Sequence, residues 1–288
     1  MTLKDCNIMR GIWYESISVP NTPGFDIVGT IYALGEKVAR DGYFQVGDPV
    51  AACVRSGGNA KFCNVQSKDL IRVPGVVDSA HAVSLVSTYM TAYQALHRVK
   101  PKNEKDTLEG TSVLITAGNG PIGSAAIDLA LRAGCGKVYT TAAMKYHKIL
   151  HDKGAIVLPL DQEKWLPVVK GKMDLVIDGL CQDNYYSPHQ ALNSKGHLVV
   201  VGMTLQTNKQ QKGVLGMPAT ALWSSTKANY LMSRTSTYCP WKSSVVKPME
   251  FKVCLLLVLL SWFILWCFVS KNSCLSFKNE IHFHILTH

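Results

Sequence analysis

Short, uniformly apolar runs recur through the middle of the chain and alternate with stretches of helical spacing. Residues 113–115, 175–177 and 198–201 contain no charged side chain, as is typical of strands buried on both faces of a parallel sheet. Residues 124–132 form a small-residue amphipathic stretch, which Gly134 ends. The alternation of strand and helix with short connections predicts an α/β fold built on a doubly wound parallel sheet.

The first third of the chain has a different pattern. Residues 20–74 contain short apolar runs separated by turn residues such as Gly57, Gly58 and Asn59. This pattern predicts short strands joined by frequent turns, and therefore a β-rich unit shaped as a small, partly open barrel. Residues 78–98 then carry apolar side chains at helical spacing, which predicts one or two helices.

The end of the chain breaks the alternation. Residues 253–269 are apolar apart from Ser261 and are flanked by Lys252 and Lys271. This stretch is short for a membrane span, which needs about 20 residues. Two hypotheses stay open for it: a C-terminal membrane anchor, or an end that is not the natural end of the domain, for instance a misread exon boundary.

Composition narrows the functional classes. The formal net charge is +10, but the chain has no block of about five or six basic residues and no aromatic stacking motif, which argues against a nucleic-acid partner. The nine cysteines are scattered without a C-x-x-C pair, which argues against structural zinc. We therefore expect a reducing compartment, namely the cytoplasm, with the membrane-anchored form as the alternative.

One motif between the first predicted buried strand and its helix indicates chemistry. In a G-x-G-x-x-G motif, the first glycine allows a tight turn, the second lets the backbone approach a pyrophosphate, and the third lets helix and strand pack closely. A following strand at residues 138–140 completes the unit that binds a dinucleotide. The alternative is a glycine-rich turn without a ligand. The motif is Gly118-Asn119-Gly120-Pro121-Ile122-Gly123.

The residues after the second strand indicate which dinucleotide is bound. NAD-specific sites carry an Asp or Glu about 20 residues beyond the glycines, but residues 140–143 of this chain are Thr, Thr, Ala and Ala. Lys145, His147 and Lys148 follow at once. The missing acid and the nearby bases favour NADPH, with Lys145 as a contact. Alternatively, these basic residues are solvated at the exposed start of a helix.

Several motifs occur in the order typical of the medium-chain dehydrogenase/reductase superfamily, and they resemble its zinc-free quinone oxidoreductase branch. Zinc-dependent members have His-Glu where this chain has Phe25-Asp26, and they carry a cysteine cluster that is absent here, so we expect no metal. The matching motifs are Pro23-Gly24-Phe25-Asp26-Ile27-Val28-Gly29, Phe44-Gln45-Val46-Gly47-Asp48-Pro49-Val50, Thr88-Tyr89-Met90-Thr91-Ala92-Tyr93, the glycine motif and residues 196–202.

The resemblance implies a domain organisation. Family members begin with further strands before Asp5 and return to the catalytic domain after Lys252, so we expect an incomplete GroES-like unit. The expected divisions are a partial GroES-like catalytic domain at 1–85, a Rossmann dinucleotide-binding domain at 86–230, the start of the return at 231–252 and an atypical apolar tail at 253–288.

The resemblance also implies an activity: a zinc-independent, NADPH-dependent reductase that transfers hydride to a quinone or an α,β-unsaturated carbonyl. The segment from Asn119 to Ile122 would present backbone N–H groups to the pyrophosphate, and Val201, Gly202 and Met203 would lie beside the nicotinamide.

Tyr14 or Tyr93 would donate a hydrogen bond to the substrate, unless each is a packing residue, and Asp178 would either line the crevice or cap the next element. Relatives pair as homodimers. The alternative is a catalytically impaired nucleotide-binding relative, anchored through 253–269.

Overall fold

The computed structural model describes residues 3–11, 19–97, 108–183 and 185–202, together with the backbone of two further strands at 236–238 and 280–284. It divides the chain into two compact units. The first comprises residues 1–90 and 242–288, and the second comprises residues 91–241.

The strands of the described residues are short. In chain order they are β1 (Asp26–Leu34), β2 (Pro49–Cys53), β3 (Asn64–Gln66), β4 (Ile71–Arg72), β5 (Ser112–Ile115), β6 (Lys137–Thr141), β7 (Ile156–Leu158), β8 (Met173–Asp178), β9 (Leu192–Val200), β10 (Ser236–Tyr238) and β11 (Glu280–His284).

The α-helices have between six and twelve residues. They are α1 (Leu3–Met9), α2 (Glu36–Asp41), α3 (Ser79–Ser84), α4 (Met90–His97), α5 (Pro121–Arg132), α6 (His147–Asp152), α7 (Gln162–Val169) and α8 (Tyr186–Ala191), with 3₁₀ turns at Ser67–Asp69 and Met144–Tyr146 and a π-helix at Leu85–Tyr89.

An antiparallel sheet with the order β3-β11-β1-β2-β4 forms the centre of the first unit, as expected for a β-rich unit. Its core consists of apolar side chains from alternate strand positions and from the following loops, among them Ile27, Ile31 and Val50. Val38 on α2 and Phe44 complete this cluster. The helical spacing predicted at 78–98 is confirmed by α3, the π-helix and α4, which follow one another without a break.

The first unit contains two elements that no hydrophobic period in the sequence indicates. Helix α1 lies in the N-terminal stretch, where its buried Asp5 accepts a hydrogen bond of 2.9 Å from the backbone N–H of Gly24. Strand β11 lies between β1 and β3, with Phe283 paired to Ile31 and Ile281 paired to Val65. A strand from the last residues of the chain therefore joins the sheet built by the first.

Six of the described strands form the sheet of the second unit in the order β10-β9-β8-β5-β6-β7, and neighbouring strands in it pair in parallel. This arrangement confirms the doubly wound α/β prediction. The chain passes from β5 to β6 and β7 on one side, then crosses to β8, β9 and β10 on the other.

Two local sequence patterns in this unit have a different outcome in the structure. Residues 189–193 look helical in sequence, and a helix is present there, but α8 spans Tyr186–Ala191 and β9 begins at Leu192. Lys195-Gly196 has the composition of a turn, which predicts a turn at these residues, but both lie inside β9. Gly196 serves close strand packing there, since a Cβ atom on it would lie 2.5 Å from the carbonyl oxygen of Met173 in β8.

The apolar stretch 253–269 and the expected return at 231–252 lie outside the described residues, apart from the backbone of β10. Within the described part of the chain, no helix has the length and apolar character needed to cross a bilayer.

Candidate nucleotide-binding site

The order of the parallel strands reverses between β5 and β8, and ligands of doubly wound folds bind at the carboxyl ends of the strands at such a point. Thr116 follows β5 there, and Asp178 and Gly179 stand at the end of β8. Val201 and Gly202 follow β9 at the same edge. The carboxyl edge around these residues is the candidate site.

The glycine motif forms the turn from β5 into α5, but its left-handed residue is Ala117, with φ of 53°, rather than Gly118. Gly118 is required by packing instead, because a Cβ on it would lie 2.0 Å from Oγ1 of the buried Thr140. A Cβ on Gly123 would lie 2.3 Å from the Ala117 carbonyl oxygen. Neither the first nor the third glycine leaves space for a methyl group.

Gly120 is the exception in the motif. It is the N-cap residue of α5, and the nearest atom to a Cβ placed on it is the Ala117 carbonyl oxygen at 3.2 Å. It has no side chain to accept hydrogen bonds from the first N–H groups of the helix. A twelve-residue helix thus begins without a side-chain cap and with the positive end of its dipole at the switch point, an arrangement suited to a phosphate.

Two buried threonines at the end of β6 hold this turn in place. Thr140 Oγ1 donates to the Ile115 carbonyl at 2.8 Å, and Thr141 Oγ1 accepts from the Ala117 N–H at 3.2 Å. The Thr141 carbonyl also accepts from the Gly118 N–H at 2.9 Å. These bonds stabilise a loop whose Ala117 backbone is unfavourable for a residue with a side chain.

Asp178 caps the turn that follows β8. Its Oδ1 accepts from the Thr116 hydroxyl at 2.6 Å, and its Oδ2 accepts from the Cys181 N–H at 2.8 Å. Burial raises the pKa of this carboxyl, while the hydrogen bonds from Thr116, Cys181 and Leu180 oppose the rise. Of the two roles expected for Asp178, the contacts show the capping one.

Replacing Asp178 by Asn is expected to change how folding stability depends on pH. Because the pKa is raised in the folded state, this group favours folding most below the ordinary carboxyl pKa of about 4, and that contribution falls as pH rises through the raised value. An amide carries no charge and has both a donor for Thr116 and an acceptor for Cys181. Asp178→Asn should therefore gain stability relative to wild type as pH rises above the ordinary carboxyl pKa of about 4, as measured by urea unfolding. A difference that stays constant with pH would contradict this expectation.

The basic residues after β6 differ in their contacts. Lys148 forms an ion pair of 3.3 Å with Asp152, and His147 Nε2 lies 3.0 Å from the Ala142 carbonyl oxygen. The exposed Lys145 has its Nζ 4.9 Å from the centroid of the Tyr146 ring. Lys145 therefore presents its charge at the surface next to an aromatic ring, beside the strand end that lacks a carboxylate.

The segment after β9 is held by a contact that the sequence did not indicate. The Tyr185 hydroxyl donates to the Gly202 carbonyl at 2.9 Å, and the Val201 N–H donates to the Asp178 carbonyl at 2.9 Å. Two of the three residues expected beside the nicotinamide, Val201 and Gly202, are thereby attached to the loop and helix that follow β8. Met203 lies outside the described residues.

The two candidate hydrogen-bond donors stay predictions. Tyr14 lies outside the described residues. Tyr93 lies on α4 with its ring stacked on His97 at a centroid distance of 4.0 Å, which is compatible with a packing role.

No metal centre is formed by the described residues, since no three His, Cys, Asp or Glu side chains converge among them. Asp26 stands where zinc-dependent family members have Glu, and it accepts a hydrogen bond from the Ser87 hydroxyl on the π-helix. The five cysteines of the described ranges are not joined in disulfides.

Sequence reasoning identified the glycine motif but missed the residues that support it, namely Thr116, Thr140, Thr141 and Tyr185. A usable signal exists for the threonine pair, because two adjacent threonines at the carboxyl end of a strand can bond to a neighbouring loop. The role of Tyr185 has no such signal, since its partner lies 17 residues away.

Comparison with known proteins shows which proteins this chain resembles in sequence and in fold. Residues 1–102 match the alcohol dehydrogenase GroES-like domain. The quinone oxidoreductase of Lama guanicoe is 29% identical over 248 residues, which cover 78% of this chain and 69% of that protein. Nine-tenths of the chain also superposes on solved structures of the same fold.

Two of these solved structures carry a nucleotide. Quinone oxidoreductase of Escherichia coli complexed with NADPH has a TM-score of 0.69 at 18% identity, and mycobacterial Rv1454c complexed with NADPH has a TM-score of 0.69 at 24% identity. Each likeness covers 91% of this chain and 77% of the other. These likenesses concern the fold, while the sequence matches concern the family. The chain therefore carries a match to the alcohol dehydrogenase GroES-like domain in its first third and is similar in sequence, over most of its length, to quinone oxidoreductases.

Proposed function

We propose that this protein is an NADPH-dependent oxidoreductase that transfers hydride to a quinone or an α,β-unsaturated carbonyl compound. The observation that carries the proposal is the turn at Gly120, where the uncapped start of α5 meets the topological switch point of a parallel sheet. Sequence similarity supports the reaction class, since the relative with 29% identity is a quinone oxidoreductase.

The choice of NADPH over NADH rests on the end of β6. Ala142 and Ala143 stand where an NAD-specific site would carry an acid that binds the ribose 2′-hydroxyl and repels a 2′-phosphate. The exposed Lys145 supplies a positive charge close by. Two family structures carry NADPH, which is in keeping with this choice.

The cofactor supplies the hydride, and the protein supplies binding, orientation and exclusion of water. In this proposal the backbone N–H groups of Asn119 and Ile122 and the dipole of α5 bind the pyrophosphate, and Lys145 binds the 2′-phosphate. Val201, Gly202 and Met203 orient the nicotinamide. A tyrosine hydroxyl, from Tyr14 or Tyr93, polarises the substrate carbonyl by donating a hydrogen bond to it.

The direct test is titration of the purified chain with NADPH, followed by an assay of NADPH oxidation with quinones and enones. We expect quenching of protein fluorescence by NADPH and turnover with at least one of these acceptors. Absence of binding would refute the proposal, and binding without turnover would favour the impaired relative.

Replacing Lys145 by Ala is expected to raise the Kd for NADPH by about tenfold or more, because a charge-assisted bond to a phosphate contributes about 1.5–3 kcal/mol. The Kd for NADH should stay the same, since NADH carries no 2′-phosphate. Lys148→Ala is the matched control, because Lys148 lies one turn further on and is paired with Asp152. Equal effects of the two variants, or equal effects on both cofactors, would exclude Lys145 as the phosphate contact.

A further inference from the structure

Tyr185 is a buried tyrosine whose hydroxyl reaches a backbone carbonyl at the candidate site. Its side chain is 2% exposed, and its hydroxyl donates to the Gly202 carbonyl at 2.9 Å. The residue adopts a left-handed backbone conformation with φ of 66°. Such a conformation is unfavourable for a bulky residue and persists where the surrounding structure compensates for it.

The Tyr185 ring is fixed by the core of the nucleotide-binding unit. It belongs to a cluster of buried side chains that includes Cys181, Leu198 and Val200. Leu198 and Val200 belong to β9, the strand that leads to Gly202. The hydroxyl is therefore held at a set position relative to the end of this strand.

Gly202 is held from a second side as well. A Cβ placed on it would lie 3.2 Å from the Gly179 carbonyl oxygen, and its neighbour Val201 donates to the Asp178 carbonyl at 2.9 Å. The segment leaving β9 thus lies between the turn after β8 on one side and the Tyr185 hydroxyl on the other. Because the peptide group is planar, fixing the Gly202 carbonyl fixes the whole peptide that follows it.

We infer that Tyr185 is a positioning residue for the nicotinamide half of the cofactor, acting through its hydrogen bond to the Gly202 carbonyl. The inference rests on the proposed function. Without the hydroxyl, the Gly202 carbonyl loses its donor and the segment after β9 gains freedom at the place where the nicotinamide must be oriented. The adenosine half depends on the glycine motif and on the region after β6, so the hydroxyl should not affect it.

The test compares two probes on the variant Tyr185→Phe, which keeps the ring and removes only the hydroxyl. We expect the Kd for NADPH to rise about tenfold, equivalent to about 1.4 kcal/mol. The Kd for adenosine 2′,5′-bisphosphate, which lacks the nicotinamide half, should change by less than about twofold. Tyr186→Phe is the matched control, since Tyr186 is adjacent and 59% exposed, and it should bind both probes like wild type.

The outcomes separate the positioning role from a merely structural one. Equal weakening of both probes by Tyr185→Phe would indicate general loosening of the unit and overturn the inference, as would unchanged binding of NADPH. If wild type binds neither probe, the proposed function itself fails and the inference with it. Gly202→Ala perturbs the same carbonyl from the side of Gly179. We expect it to weaken NADPH binding while leaving the binding of adenosine 2′,5′-bisphosphate unchanged. This second variant keeps the test decisive should Tyr185→Phe be unstable.

Discussion

Replacing Gly123 by Ala is expected to destabilise the nucleotide-binding unit by about 3 kcal/mol, the upper part of the usual range for inserting a methyl group into a packed site. The new Cβ would lie 2.3 Å from the Ala117 carbonyl oxygen and 2.9 Å from the Gly118 Cα. Both are backbone atoms in a loop already fixed by Thr140 and Thr141, so the clash has no side chain to absorb it. The higher helix propensity of alanine offsets at most about 1 kcal/mol of this loss of stability.

Gly120→Ala is the matched control, because a Cβ there would lie 3.2 Å from the Ala117 carbonyl oxygen, a tight contact that a shift of a few tenths of an ångström relieves, against 2.3 Å for Gly123. We expect this variant to melt close to wild type but to lose NADPH binding, whereas Gly123→Ala should lower Tm by roughly 5–10 °C. Thermal unfolding and NADPH titration of the two variants measure the contrast. If Gly123→Ala melts like wild type, the packing role of this glycine is wrong, and if Gly120→Ala binds NADPH normally, the pyrophosphate site is elsewhere.

Deleting residues 280–288 is expected to unfold the first unit. Strand β11 lies between β1 and β3, with four residue pairs to β1 and three to β3. Its removal leaves two facing strand edges unpaired in the middle of the sheet. At about 1 kcal/mol for each lost hydrogen bond, the deletion should remove more than about 4 kcal/mol, which is comparable to the whole stability of many domains.

Hydrogen exchange of the backbone amides in 26–34 and 64–66 measures this effect, with the amides of β5 and β8 as an internal reference in the other unit. A chain that lacks only residues 286–288 keeps β11 and serves as the control. Unchanged protection of β1 in the longer deletion would contradict the pairing. In that case the C-terminal strand contributes nothing to the sheet.

Features of this protein that depend on a local sequence pattern can be predicted from the sequence alone. Buried parallel strands need unbroken apolar runs, so β5 and β8 are legible from the sequence. A turn that binds a nucleotide needs glycines at fixed spacing, so the motif at 118–123 can be recognised from the sequence as well. The absence of an acidic residue after β6 can also be recognised in this way. These local signals also carry the resemblance that identified the family.

The folded structure is needed to show which residues support the site and how β11 completes the sheet of the first unit. Gly196 reads as a turn residue, yet it lies inside β9 because β8 approaches it closely. Tyr185 meets Gly202, and β11 meets β1, across separations that no helical or strand period spans. Such contacts depend on where the folded chain brings distant residues together, because burial and hydrogen bonding reward proximity in space and leave no periodic trace in the sequence.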